Sequence, residues 1–398
     1  MKTFKSYRFR IYPTEAQTKR LLAWESALRF LWNLAHEQRL MGLARTDKRY
    51  PSGFDQHKEL TELRAILPWL ADVPRGACET LLTKLDEAWQ RCFGRLGCAP
   101  RWKRRALDFP SMHEARSTHW WHEGPSLHFP RLGVVHIVQH RALEGKPKSC
   151  TIRRDGDQWF ASIMCEVEAP TPAPRTEPVV AIDRGIASVV ADSDGSLVAN
   201  PRHLDRALRR LARAQRVVAR RKKGSKNQQK ARVRVMRLHR KVRRQREHFL
   251  HVLSHHYAKN HGTVIVEKLN VAGMARSRLA RHILGAGWSR FVEMLRYKLA
   301  WSGGTLVEVP AAYSSQTCSA CGAVDAASRN GERFVCTSCG HTDHADLNAA
   351  KVLKQRFEAP GNPWCLPAEG TPPEGSRRSR KVRLRTPRTM TSREVPRD

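Results

Sequence analysis

Two Cys-x-x-Cys pairs, Cys318/Cys321 and Cys336/Cys339, stand with fourteen residues between them, and each is followed by glycine, Gly322 and Gly340. Thiolates on two such turns close a tetrahedron around one structural Zn²⁺. A redox dithiol or buried free thiols is the alternative, and two pairs each closed by glycine disfavour it. Seven residues after the last cysteine an isolated acid, Asp346, heads an alanine-rich helical run, Leu347–Arg356. A zinc knuckle set just before an acid-led helix is a clip that fixes where the acid points.

Two further acids end apolar runs. Asp183 closes VVAID, and Glu267 lies at the C-terminal end of GTVIVEKL. Each follows an element able to deliver it to one edge of a mixed sheet. Carboxylates that converge in this way bind hard divalent cations through oxygen. Two such metals, ~4 Å apart, can activate a water and stabilise the leaving oxygen of a phosphodiester. A lone Asp is more often a helix cap or an ion-pair partner. Three acids at element ends, in a chain that binds a polyanion, shift the reading to a Mg²⁺ nuclease with two ions. No Gly-x-x-x-x-Gly-Lys-Ser/Thr loop is present, which argues against nucleotide hydrolysis.

The polyanion follows from charge. The 398 residues carry 72 Lys+Arg against 37 Asp+Glu, a formal net charge of +35. Such an excess repels itself unless a polyanion is bound. The 40% hydrophobic content and 11 Trp describe a folded protein, not a basic tail. Residues 202–246 hold twenty Lys/Arg and one acid, Asp205. A merely solvated helix would mix signs, so Arg209, Arg213, Arg216 and Arg220 are candidate nucleic-acid contacts. Arg101, Lys103 and Arg104 in RWKRR form a second basic cluster, with a solvated charge run as the equal alternative. A membrane-surface partner is the weaker reading, because no long amphipathic apolar face accompanies the charge, and no apolar run approaches ~20 residues. The remaining cysteines (Cys78, Cys92, Cys98, Cys150, Cys165, Cys365) have no disulfide spacing, which fits a reducing cytosol.

The elements that must position these residues come in two halves. TFKSYRFRIY alternates, with Tyr7, Phe9 and Ile11 on one side, as a half-buried strand does. Thr14 and Gln17 form a capping box ahead of a helix striped by Leu21, Trp24, Leu28, Leu31 and Ala35. Helices are expected at 55–66 and 76–92. Short strands follow at Ser126–Phe129, Gly133–Gln139, Ser149–Arg153 and Trp159–Val167. If the first strand pairs into that sheet, the helices are an insertion in a β-barrel. The proline-rich stretch 169–178 marks a boundary. Beyond it come a strand and a hairpin through Asp194–Gly195, two basic helices broken at 222–227, and strands at Gly262–Leu269 and Gly303–Pro310 with the helix Ser289–Ala300 between them. Residues 357–398 are rich in Pro, Arg, Ser and Thr and are expected to be disordered.

The chain resembles the TnpB family of transposon-encoded RNA-guided DNA endonucleases and the related compact type V CRISPR effectors. The residues that carry the resemblance run from about 3 to 356. They are KSYRFRIYPT, APRWKRR, VVAIDRGI, IVEKLN, HILGAGWSRFVEMLRYKLAWSGG, SSQTCSACG, FVCTSCG and HADLNAAKVL. The resemblance implies an α+β multidomain protein. An N-terminal wedge β-barrel with a helical recognition insertion precedes an RNase-H-like RuvC α/β domain with an inserted zinc ribbon. The implied map places the first barrel strand at 1–13, the recognition region at 14–112 and the rest of the barrel at 113–170. A linker at 171–178 leads to the nuclease at 179–314, with its basic hairpin at 202–246. The ribbon spans 315–342, the last nuclease helix 343–356 and the basic tail 357–398. The implied catalytic acids are Asp183, Glu267 and Asp346, the implied partners are a guide RNA and double-stranded DNA beside a short motif, and the implied location is a prokaryotic cytoplasm. One chain per guide RNA is expected, a dimer being the alternative. Two positions depart from the family pattern: Arg184 follows the first acid where Leu is commoner, and His344-Ala345 precede the last where Asp-Arg is frequent. Neither removes a carboxylate. Some relatives keep the fold and repress transcription without cutting, which is the competing function.

Overall fold

The computed structural model describes residues 2–47, 49–105, 108–168 and 172–359, so the tail expected to be disordered lies outside the described residues apart from its first three positions. Strand β1 (Lys2–Tyr12) buries Tyr7, Phe9 and Ile11 as its alternation demands. Pro13 ends it, and Thr14 caps α1 (Glu15–Ala44). The cap is reciprocal: Thr14 Oγ1 accepts from the Gln17 N–H at 3.3 Å, and Gln17 Oε1 accepts from the Thr14 N–H at 3.0 Å. Leu21, Trp24, Leu28, Leu31 and Ala35 are all buried. Helices α2 (Gly53–Ile66), α3 (Pro68–Ala71) and α4 (Arg75–Phe93) pack back on α1. The fully buried Arg39 is held there by Asp86 at 2.9 Å and Gln56 at 2.9 Å.

Six more strands complete the first sheet: β2 (Met112–Glu114), β3 (Trp121–Glu123), β4 (Ser126–Phe129), β5 (Gly133–Val138), β6 (Lys146–Asp155) and β7 (Gln158–Glu168). Their order is β2-β6-β7-β1-β5-β4-β3, antiparallel throughout. Because β1 is central, α1 to α4 are an insertion between it and the rest of its sheet. Among the described residues the ladder does not close by hydrogen bonds into the expected barrel; β2 and β3 remain its edges. The sheet curls instead. His122 on β3 stacks on Phe9 of β1 at 6.5 Å between ring centroids, although three flat strand spacings would separate them by about 14 Å.

The second half opens with β8 (Val179–Asp183), β9 (Ser188–Asp192) and β10 (Leu197–Ala199). Two long helices follow, α5 (His203–Arg220) and α6 (Lys226–Asn260). Next come β11 (Thr263–Lys268), the short α7 (Val271–Met274) and α8 (Ala280–Ala286), α9 (Trp288–Ser302) and β12 (Thr305–Pro310). A small sheet of β13 (Arg329–Asn330), β14 (Arg333–Val335) and β15 (Thr342–His344) precedes α10 (Ala345–Glu358).

The main sheet has the order β10-β9-β8-β11-β12, with β11 parallel to both β8 and β12 and β9 antiparallel to β8. Alternation gives it two faces. Val180, Ile182, Val264 and Val266 pack against Leu250 and Tyr257 of α6 and Phe291 and Leu295 of α9. Ala181, Ile265 and Val309 pack against Leu353 of α10. Helix α6 runs well past residue 246, where the basic stretch ends, because Leu250, Leu253, Tyr257 and Ala258 continue as a buried stripe. Its basic half is not all exterior. Arg240 Nη1 donates to the Asp155 carbonyl at 2.7 Å and to Asp157 at 2.8 Å, so α6 grips the β6–β7 turn of the first half.

Candidate active site and metal centres

The register of β8 and β11 runs from Val179↔Thr263 to Ile182↔Val266. One further step sets Asp183 beside Glu267, at the carboxyl ends of two parallel strands, where open α/β sheets place their sites. Both acids share parity with Ala181 and Ile265, so they belong to the face that α10 covers. Asp346 is the second residue of α10, and the His344 ring nitrogen caps that helix by accepting from the Asp346 N–H at 3.2 Å. A carboxylate in a first turn also suits the helix dipole.

Helix α10 packs on β8, and Asp346 Oδ2 lies beside Gly185, two residues past Asp183, which brings all three acids to one sheet edge. The Asp183 carboxyl is pushed up to about 8, by burial first and then by the charges of Glu267 and Asp346. Burial likewise raises Glu267, opposed by Arg184 and reinforced by Asp346. Two arginines answer this charge. Arg329, on β13, places Nη2 2.8 Å from Asp346 Oδ1. Arg184 is buried; its N–H donates to Glu267 Oε1 at 3.3 Å, and its Nη2 donates to the Glu267 carbonyl. The donor chemistry suits a hard cation, since three carboxylates on three separate elements come to one sheet edge.

The cysteines form a different centre. All four Sγ atoms lie within 4.8 Å of one another. The Cys318–Cys339 and Cys321–Cys336 separations are 3.7 and 3.6 Å. A regular tetrahedron with Zn–S of ~2.3 Å has edges of about 3.8 Å, so the residues fit zinc. The two knuckles repeat one design. The Cys318 N–H donates to the Ala323 carbonyl and the Gly322 N–H to the Cys318 carbonyl; in the second, the Cys336 N–H donates to His341 and the Gly340 N–H to Cys336. Gly322 (φ 76°) and Gly340 (φ 72°) adopt the left-handed conformation that these turns need.

Side chains of α10 couple this centre to the acids. Buried Asn348 donates to the Thr317 carbonyl at 2.7 Å and accepts from the Ser319 N–H at 2.9 Å, bracketing Cys318. Gln355 donates to the Ser319 carbonyl at 2.7 Å. The Ala345 N–H donates to the Glu332 carbonyl at 2.8 Å. Asp346 therefore sits on a helix riveted to the cysteine knuckle.

Among the basic candidates, Arg209, Arg213, Arg216 and Arg220 are all exposed on α5, opposite its buried Leu211 and Ala214. Arg101 and Arg104 are also exposed. Lys103 is half-buried, with Nζ 4.3 Å over the Trp32 ring. Asn33 ties the Lys103 backbone to α1 through both its N–H and its carbonyl. A cavity of about 380 Å³ lies here, lined by Trp32, Lys84, Arg101, Lys103, Phe109 and Arg153 among others. Sequence reasoning missed Arg329 beside the acids, since no spacing relates it to Asp346. It singled out Arg184 only as a departure from a pattern.

A curled antiparallel sheet with a helical insertion, followed by a mixed sheet carrying an acid cluster and a cysteine-built ribbon, defines the class. Residues 162–278 match the family described as a probable transposase, OrfB of IS605. Residues 288–353 match a Cas12f1-like TNB domain, and residues 1–46 a family named as a helix-turn-helix domain. In this chain that last range folds as β1 and the single helix α1. A Streptomyces pristinaespiralis protein assigned as an RNA-guided DNA endonuclease is 34% identical over 356 residues, covering 88% of each chain. An Escherichia coli K12 protein assigned the same activity, InsQ, is 29% identical over 375 residues, covering 89% of this chain and 92% of its own. The fold is similar to that of Cas12f1 in its complex with single guide RNA and target DNA, at TM-score 0.55 and 13% identity over 88% of this chain and 98% of that one. The chain belongs to the TnpB family.

Proposed function

We propose that the chain is an RNA-guided, divalent-metal-dependent DNA endonuclease that hydrolyses phosphodiester bonds of a duplex target beside a short motif. The observation that carries this reading is the placement of Asp183, Glu267 and Asp346 at one sheet edge of a strongly basic protein. The relatives assigned as RNA-guided endonucleases, similar along most of their length, support it. The RNase-H-like RuvC reading rests on the mixed sheet, whose parallel strands bring two of the acids side by side.

In this reading Asp183, Glu267 and Asp346 hold two Mg²⁺ ions, and Cys318, Cys321, Cys336 and Cys339 hold one Zn²⁺. The Mg²⁺ ions, when bound, supply a nucleophilic water and stabilise the leaving oxygen. The chain's own residues do the rest. Asn348 and the ribbon fix α10 so that Asp346 meets the strand-end acids. Arg329 and Arg184 balance the carboxylates. Arg209, Arg213, Arg216, Arg220, Arg101 and Arg104 hold nucleic-acid backbone, while guide pairing reads sequence. This reading takes one chain per guide RNA, with a dimer as the alternative. The reading of a guided binder that represses without cutting is not favoured, since all three carboxylates are present and the relatives are assigned as endonucleases.

The test is to purify the chain from cells carrying its native locus, sequence the RNA it retains, and supply matching duplex DNA. Cutting in Mg²⁺ that EDTA stops is the expected result. Tight target binding with no cutting in any divalent metal would hand the case to the binder.

A further inference from the structure

Arg184 occupies the position after the first acid, and its setting is unusual for a surface-seeking cation. Its side chain is 4% exposed, and its Nε has no hydrogen-bond acceptor. That Nε lies 3.9 Å from Glu267 Oε1, while the residue's N–H and Nη2 donate to the Glu267 carboxylate and carbonyl. One residue therefore fixes both the side chain and the backbone of Glu267. Arg329 differs. It comes from the small ribbon sheet, its side chain is 32% exposed, and it can swing into solvent when another cation takes Asp346. Arg184 is buried beside Glu267 and has no such open path to solvent. Its charge stays in place whatever else enters.

We propose that Arg184 is a built-in counter-cation that positions Glu267 in the absence of metal and holds down the divalent-metal affinity of the acid cluster. The inference rests on reading the three acids as metal ligands. Without metal, the charged forms of the three acids repel one another at one edge, and a buried guanidinium offsets part of that repulsion. When a dication enters, the same fixed charge opposes it across a short, poorly screened distance. The cluster is thus organised before metal arrives but fills weakly until the phosphates of bound nucleic acid add negative charge. A purely structural Arg184 would act in the opposite direction: its loss would loosen Glu267 and weaken metal binding.

The experiment measures Mn²⁺ binding by electron paramagnetic resonance to the full-length, zinc-loaded chain without nucleic acid. Wild type, Arg184→Leu, Arg184→Lys and Asp183→Ala are compared, with Arg184→Gln as a second neutral variant should Leu not fold. Arg184→Leu or Gln should bind Mn²⁺ about tenfold more tightly or better, and Arg184→Lys should stay near wild type. Asp183→Ala should abolish the binding. Equal or weaker binding in the neutral variants overturns the proposal, as does a Lys variant that shifts as far as the Leu variant. If no Asp183-dependent Mn²⁺ binds in wild type or in either neutral variant, the acids are not metal ligands, and both readings fall together.

Discussion

The cysteine cage and the carboxylate cluster are two candidate metal centres joined by one helix, built on opposite principles. The cage is soft, closed and local: its ligands lie within one short stretch, on two turns with the same hydrogen bonds. The cluster is hard, open and long-range: its acids come from β8, β11 and α10, and two arginines hold its charge in check. The cage can assemble wherever its segment goes, whereas the cluster exists only when the main sheet and α10 have docked. Asn348 and Gln355 let the first serve the second, since they fix α10 to the knuckle around Cys318.

The sharpest break is at the open centre. Glu267→Gln keeps the shape of the side chain and removes a metal-binding charge; target cutting in Mg²⁺ should fall below detection in a gel assay while zinc content stays at one ion per chain. At the closed centre, Cys336→Ser should empty the cage, as inductively coupled plasma analysis would show, and loosen the ribbon. Because the damage reaches Asp346 only through α10, cutting should drop by about ten- to a hundredfold, the range for lost supporting contacts around a metal. Equal losses of cutting in both variants would mean that the cage belongs to the site itself.

The contrast also explains what could be read from the residues alone. Cysteine spacing and the Thr14–Gln17 cap are short-range features, and both emerge with their expected geometry. Asp183 and Glu267 could be picked out because each ends an apolar run, and Asp346 because it heads a helical run just after the cysteines. What sequence reasoning missed depends on contacts between distant elements. Arg329 reaches Asp346 only after the ribbon has folded onto α10. The C-terminal half of α6 was hidden by a charge run that masks where the apolar stripe begins. The curl that brings β3 over β1 without closing a barrel is a property of the whole sheet.

Away from both centres, replacing Arg209, Arg213, Arg216 and Arg220 together by Gln should weaken RNA binding and lower the slope of log K against log salt by up to about 3. An unchanged slope would mean that this exposed face of α5 meets only solvent. The smallest effect concerns the open centre without its ions. Burial and the neighbouring acids push the Asp183 carboxyl up to about 8 in the folded chain, against an ordinary value of 3.8. Between those values the unfolded chain binds fewer protons, so stability falls as pH rises. For zinc-loaded protein without added Mg²⁺, Tm should decline from about pH 6 to about pH 8, and Asp183→Asn should flatten that decline.

The central claim is that the three acids cut while the basic surfaces and the guide bind. It is tested most directly by measuring target binding and target cutting side by side on guide-loaded wild type and Asp183→Ala in Mg²⁺. The account predicts that both bind the matched duplex with similar affinity and that only the wild type cuts it. Equal cutting by the two proteins would contradict it.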